Sequence, residues 1–118
     1  MFSHSARALE FFEDLSDLVE DQSKWSQATF GTDQERGPVG ALKHLEKEAK
    51  EACEAVGTAT ALEELGDCFL LLLDATRRSG FKLCHLVEAA TIKMEINKTR
   101  TWPKPKDDTP VEHVRTAD

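Results

Sequence analysis

Apolar residues recur along this chain at intervals of three and four, the spacing of one helical face, in four successive stretches. Leu9, Phe12, Leu15, Leu18 and Val19 predict a first helix over about residues 6–26. Leu42, Leu45, Ala49, Ala52, Cys53 and Val56 predict a second, entered through Pro38, whose missing N–H costs little in a first helical turn. The third, about residues 61–79, carries Leu65, Cys68, Phe69, the run Leu70 to Leu73 and Ala75, a pattern expected of a helix buried on several sides. Thr60 is its expected N-cap with Glu63 as capping-box partner, and Arg77, Arg78 and Gly80 suit its C-terminal end. A fourth runs over about residues 83–99, with Leu86, Val87, Ala90, Met94 and Ile96 facing inward. The glycine-bracketed stretch 29–37 lacks periodicity and is a loop. Beyond Trp102, Pro103, Pro105 and Pro110 among charged residues predict an extended tail over about residues 101–118. No internal repeat and no strand alternation is visible. The expectation is an all-α, antiparallel bundle of four main helices, one domain over residues 1–118.

Acids break the apolar pattern where it matters most. Glu48 and Glu51 in the second helix, and Glu64 and Asp67 in the third, are pairs three residues apart, so each pair points its carboxylates one way. Twelve residues separate Glu51 from Glu64, enough to finish one helix, turn and start an antiparallel neighbour. Four carboxylates could thus converge, and so many like charges either repel or protonate unless a cation joins them. All-oxygen ligands favour Mg2+ or Mn2+. Asp74, one heptad past Asp67, suits a cap on a neighbouring helix or a meeting with Arg or Lys. His44 precedes Glu48 by one turn and is expected as its hydrogen-bonding partner.

Composition narrows the class. At 118 residues and 40% hydrophobic content the chain can close one modest core, and association between copies would help an apolar helix with more than one sticky face. A formal net charge of −7 argues against nucleic-acid polymers and anionic membranes. The longest apolar run, near residues 68–73, is too short to span a bilayer, and the N-terminal residues carry acids where a secretory signal has its apolar core. Cys53, Cys68 and Cys84 form no CxxC pair and are expected as small core residues of a reduced, cytoplasmic protein. The charge is uneven. Acids dominate residues 46–67, whereas Lys93, Lys98, Arg100, Lys104 and Lys106 face Glu95 alone over residues 93–106. Lys93, Asn97 and Arg100 share one helical face, a stripe suited to phosphate oxygens beside a metal cradle.

These residues resemble the MazG-like nucleoside triphosphate pyrophosphohydrolases, which carry ExxE followed after a helical turnaround by ExxD. The flanks are similar to the dATP/dGTP diphosphohydrolase branch, some of it phage-encoded: Trp25, Thr29-Phe30-Gly31, Gly37-Pro38-Val39-Gly40, Lys43-His44-Leu45-Glu46-Lys47-Glu48, then Lys93-Met94-Glu95-Ile96-Asn97 and Arg100-Thr101-Trp102-Pro103-Lys104-Pro105. The resemblance implies hydrolysis of a purine dNTP between the α- and β-phosphates, giving dNMP and pyrophosphate. It implies Glu48, Glu51, Glu64 and Asp67 as ligands of two or more Mg2+ or Mn2+ ions, with Glu48 or Glu51 activating water. It implies Lys93, Asn97 and Arg100 on phosphate, and leaves Trp25 and Phe30 to stack on the base. It further implies a homodimer or homotetramer in a bacterial or phage-infected cytoplasm.

Other classes fit less well. A di-iron bundle would take histidine from Glu-x-x-His, and no histidine here follows a glutamate at that spacing. A non-catalytic helical oligomer or adaptor would leave the acids merely solubilising. A hydrolase of a pyrimidine or modified dNTP shares every feature named, because the acids do not read a base.

Overall fold

The computed structural model describes residues 2–115, with side chains from Ala6 onward. Four helices follow one another: α1 Phe2–Phe30, α2 Val39–Ala55, α3 Ala61–Arg78 and α4 Leu83–Thr99. Among the described residues there is no strand, only one antiparallel bridge between Thr101 and Val114. The chain divides after Leu83 into two compact units.

In the first unit α2 and α3 form the main helix pair, and α1 packs on α3. Gln22 reaches Asp74 and Ser26 reaches Arg78, so α1 and α3 keep one offset of 52 residues and run parallel. The turn between α2 and α3 is set by Gly57, whose φ of +81° is a conformation side-chain-bearing residues avoid. The expected capping box at Thr60 does not form. α3 begins without a side-chain cap, because Thr60 Oγ1 lies 3.2 Å from Thr58 Oγ1, which itself donates to the Ala55 carbonyl at the end of α2. Glu63 and Glu64 still sit in the first turn of α3, where the helix dipole favours them.

Burial departs from the periodicity. Ala41, Leu73 and Ala75 are the buried apolar residues of the described chain, a small core. α1 has 29 residues, about 43 Å at 1.5 Å each, against 17 and 18 for α2 and α3. Leu9, Phe11 and Phe12 in its N-terminal half are 59, 67 and 65% exposed. α3 likewise leaves Leu65, Phe69 and Leu72 exposed. The cysteines correct the expectation too: Cys68 is half-buried, but Cys53 and Cys84 are exposed.

The second unit is α4 with the segment that follows it. The Trp102 indole N–H donates to the Asn97 carbonyl at 2.8 Å, and its ring meets His113 edge-on at 5.7 Å. With Val114 N–H donating to the Thr101 carbonyl at 2.6 Å, the proline-rich segment is closed into a loop, where the sequence predicted only an extended tail. Val87 and Met94 of α4, expected inward, are more than half exposed. No described helix is long and apolar enough to cross a membrane.

Candidate active site

Glu48 and Glu51 lie one turn apart on α2 and face Glu64 on the adjoining α3. One carboxylate oxygen from each lies within 4.8 Å of the others. Glu51 shares a hydrogen bond with Glu48, and that bond, followed by the Glu48 charge, burial and Glu64, pushes the Glu51 carboxyl above its ordinary range. Glu64 Oε2 is buried and has no hydrogen-bond partner among the described residues. A buried oxygen of this kind costs free energy unless something satisfies it. Burial, then the Glu48, Asp67 and Glu64 charges, push the neighbouring Cys68 thiol up. The donor set fits a divalent cation: three oxygen ligands, mutually repelling, one of them otherwise orphaned. Asp67, the fourth carboxylate of the sequence pattern, lies one turn along α3 from Glu64. His44 Nε2 sits 3.0 Å from Glu48 Oε1, as expected from their spacing.

Beside the trio opens a cleft of about 440 Å³ between α1, α2 and α3, large enough for a small ligand. Glu48 and Asp67 line it at the acidic end, Leu70 and Leu71 form an apolar stretch, and Trp25 and Phe30 close the other end. The two aromatic rings meet edge to face at 5.4 Å, and the Arg36 guanidinium lies 5.9 Å above Phe30. Gly40 makes room for that guanidinium, whose end occupies the space a Cβ would need. Loop 31–38 and the last turn of α1 thus set the aromatic wall.

The wall is held by a buried ionic network, of which sequence reasoning named only a meeting of Asp74 with Arg or Lys as one alternative. Arg77 and Arg78 do more than end α3. Arg78 Nε donates to Asp74 Oδ2 at 2.8 Å, and Arg77 Nη2 donates to Asp74 Oδ1 at 2.6 Å. Gln22 Nε2 donates to the same Oδ1 at 2.9 Å, while its own Oε1 accepts from Arg77 Nη1 at 2.6 Å. Arg77 also spans to Asp33 at 3.0 Å. Arg78 then gathers the end of α1 and the loop: Ser26 Oγ at 3.0 Å, and the carbonyls of Gly31 at 3.0 Å and Arg36 at 3.1 Å. Gly31, at φ +112°, turns its carbonyl inward there. Burial works to raise the Asp74 carboxyl, but hydrogen bonds from Ser26, Gln22, Arg77 and Arg78 outweigh it and hold the group well below the usual carboxylate range. The signal was present in the sequence, as an acid in an apolar helix with arginines three and four residues on.

Lys93, Asn97 and Arg100 lie in the second unit. Arg100 follows the last residue of α4, and its Nη1 is 3.5 Å from Asn97 Oδ1. Lys93 is exposed.

The comparisons bear on this geometry. The family model for dATP/dGTP pyrophosphohydrolases matches residues 18–118. The Eaa protein of Salmonella phage P22 is 46% identical over 95 residues, which is 80% of this chain and 28% of that protein. The chain therefore spans little more than a quarter of that relative's length. A solved structure of a cyanophage S-2L MazG-like pyrophosphohydrolase, bound to dGDP and three catalytic Mn2+ ions per active site, shares the fold, with a TM-score of 0.65 and 24% identity. The match covers 86% of this chain and 94% of that one. The family match starts at the cleft-lining half of α1 and runs through the carboxylate trio to the closing segment, so this chain belongs to the dATP/dGTP pyrophosphohydrolase family.

Proposed function

We propose that the protein hydrolyses purine dNTPs at the α–β phosphate bond to dNMP and pyrophosphate, with two or more Mg2+ or Mn2+ ions. The observation that carries this reading is the orphaned, buried Glu64 Oε2 within the three-carboxylate cluster, beside a cleft with an aromatic wall. The family, and the Mn2+ and dGDP bound by the cyanophage neighbour, support it. Glu48, Glu51, Glu64 and Asp67 would hold the cations. A divalent cation held there would supply charge neutralisation for phosphate and acidity to a water nucleophile. Glu48 or Glu51 orients that water and accepts its proton, and His44 fixes the Glu48 carboxylate through their 3.0 Å contact. Lys93, Asn97 and Arg100 offer the donors suited to phosphate oxygens. Trp25 and Phe30 offer ring faces to the base. The exposed Leu9, Phe11 and Phe12 call for a second copy of the chain, so the working form is a homodimer or homotetramer. The phage relative favours the cytoplasm of an infected bacterium as its place of action.

Chromatographic product analysis of each dNTP and NTP, with Mg2+ or Mn2+ and a Glu64→Gln control, tests this. Purine dNMP with pyrophosphate, absent in the control, is the expected result. Release of dNDP and orthophosphate would move the cleaved bond and refute the mechanism. No turnover with either metal would favour a non-catalytic helical oligomer.

A further inference from the structure

Away from its acidic end, the cleft has one carboxylate with no hydrogen-bond partner among the described residues. Gln22, Ser26 and Asp74 are tied into the arginine network, His44 bonds Glu48, and Glu48 and Asp67 belong to the acidic end. Asp21 remains. It lines the same cleft from α1, three residues after Leu18 and four before Trp25, both of which also line it, so the three share one helical face. Among the described residues its carboxylate makes no hydrogen bond. Lys24, the cation that feels its charge, is bonded to Glu20 at 2.9 Å.

We propose that Asp21 selects guanine: its carboxylate reads the pairing edge of the base against Trp25, so that dGTP is preferred over dATP. The proposal rests on the dNTP hydrolase reading above and specifies its substrate. A carboxylate offers acceptors only. Guanine presents two adjacent donors on its pairing edge, N1–H and the N2 amino group, which a carboxylate meets with both oxygens, as it does a guanidinium. Adenine presents one donor, N6–H, beside the N1 lone pair. A carboxylate oxygen would face that lone pair and repel it. A site that hydrogen-bonds a substrate group discriminates strongly against an analogue without it. Asp21 is exposed at the cleft rim, so the discrimination falls at the low end, about 10- to 100-fold in kcat/KM. Position supports the assignment. Leu70 and Leu71 separate Asp67 from Asp74 by about 10 Å along α3, and Asp21 stands across from this stretch, away from the acidic end.

The test measures kcat/KM for dGTP, dATP and dITP, the last keeping N1–H but lacking the amino group, in the wild type and Asp21→Asn. Asparagine pairs one acceptor with one donor, the match for the adenine edge. The expected wild-type order is dGTP, dITP, dATP, and Asp21→Asn should reverse the dGTP/dATP ratio or bring it near unity. An unchanged ratio in Asp21→Asn, or a wild type that favours dATP, overturns the assignment. Binding of dGMP and dAMP with Mg2+, followed by tryptophan fluorescence, separates the two claims. Guanine-selective binding that depends on Asp21, without turnover, would sink the hydrolase reading and sustain the Asp21 assignment. Equal binding of both monophosphates would sink the assignment whatever the turnover.

Discussion

Replacing Arg78 by alanine should unfold this protein more readily than any other single truncation on α3. Its side chain is 1% exposed and its donors reach Asp74, the Ser26 hydroxyl and the carbonyls of Gly31, Thr32 and Arg36. Alanine leaves a buried carboxylate short of one strong donor and three loop carbonyls without their shared partner. Removing one side of a buried ion pair costs about 3–5 kcal/mol, chiefly because the remaining charge stays buried. Arg77 and Gln22 still hold Asp74 Oδ1, which places the loss near the lower figure, about 3 kcal/mol. A chain of this size should then melt roughly 10 °C lower. Arg78→Lys keeps the charge but not the planar fork, and should recover only part of this. The assay is a urea titration at one fixed protein concentration, since association between copies would add to apparent stability. The midpoint should fall with the slope unchanged. A loss below about 1 kcal/mol, the size of one ordinary hydrogen bond, would refute the view that Arg78 holds α1 and the loop to α3.

Acid should expose the same network. The Asp74 carboxyl is held below its ordinary range in the fold, so its contribution is complete above the unfolded value, about pH 4, and fades as pH falls below it; Asp74→Asn should be less stable at neutral pH and show a flatter acid limb in urea midpoints. Glu64→Gln removes a charge from the trio and should weaken Mn2+ binding, read by calorimetry, at least about 10-fold while leaving the fold intact by circular dichroism. Unchanged affinity would place the cation elsewhere. Phe11→Ser with Phe12→Ser should lower the mass seen by light scattering, because the N-terminal half of α1 would lose the exposed apolar surface proposed to meet a second copy.

The helices were legible because periodicity is a local property. α4 runs Leu83–Thr99 as its pattern indicated, and α3 differs from expectation at its last residue. α1 is longer than its apolar stripe, extending through Thr29 and Phe30, which the glycine brackets had assigned to the loop. The spacing put each carboxylate pair on one helical face, but that the two faces meet came from the family resemblance, and three of the four expected carboxylates cluster. The reach of the arginine network was not legible. Arg77 and Arg78 satisfy the ordinary preference for cations at a helix end, and that sufficient local reason concealed the long-range partners Ser26 and Asp33. Burial was the least legible quantity, because an apolar stripe such as Leu9 to Phe12 does not say whether its cover comes from the same chain.

α3 carries two acids that the fold treats in opposite ways. Asp74 receives Gln22 and Arg77 on one oxygen and Arg78 on the other, so it has no need of a metal. Glu64 meets two further carboxylates and leaves Oε2 buried without a donor. An uncompensated buried carboxylate is far more costly than a paired one. The helix therefore places a satisfied charge beside the aromatic wall, and an unsatisfied one in the cluster whose donor set fits a divalent ion. On this argument a donor supplied to Glu64, for example by Cys68→Lys, would stabilise the empty fold and compete with the ion, so stability and metal affinity would move in opposite directions.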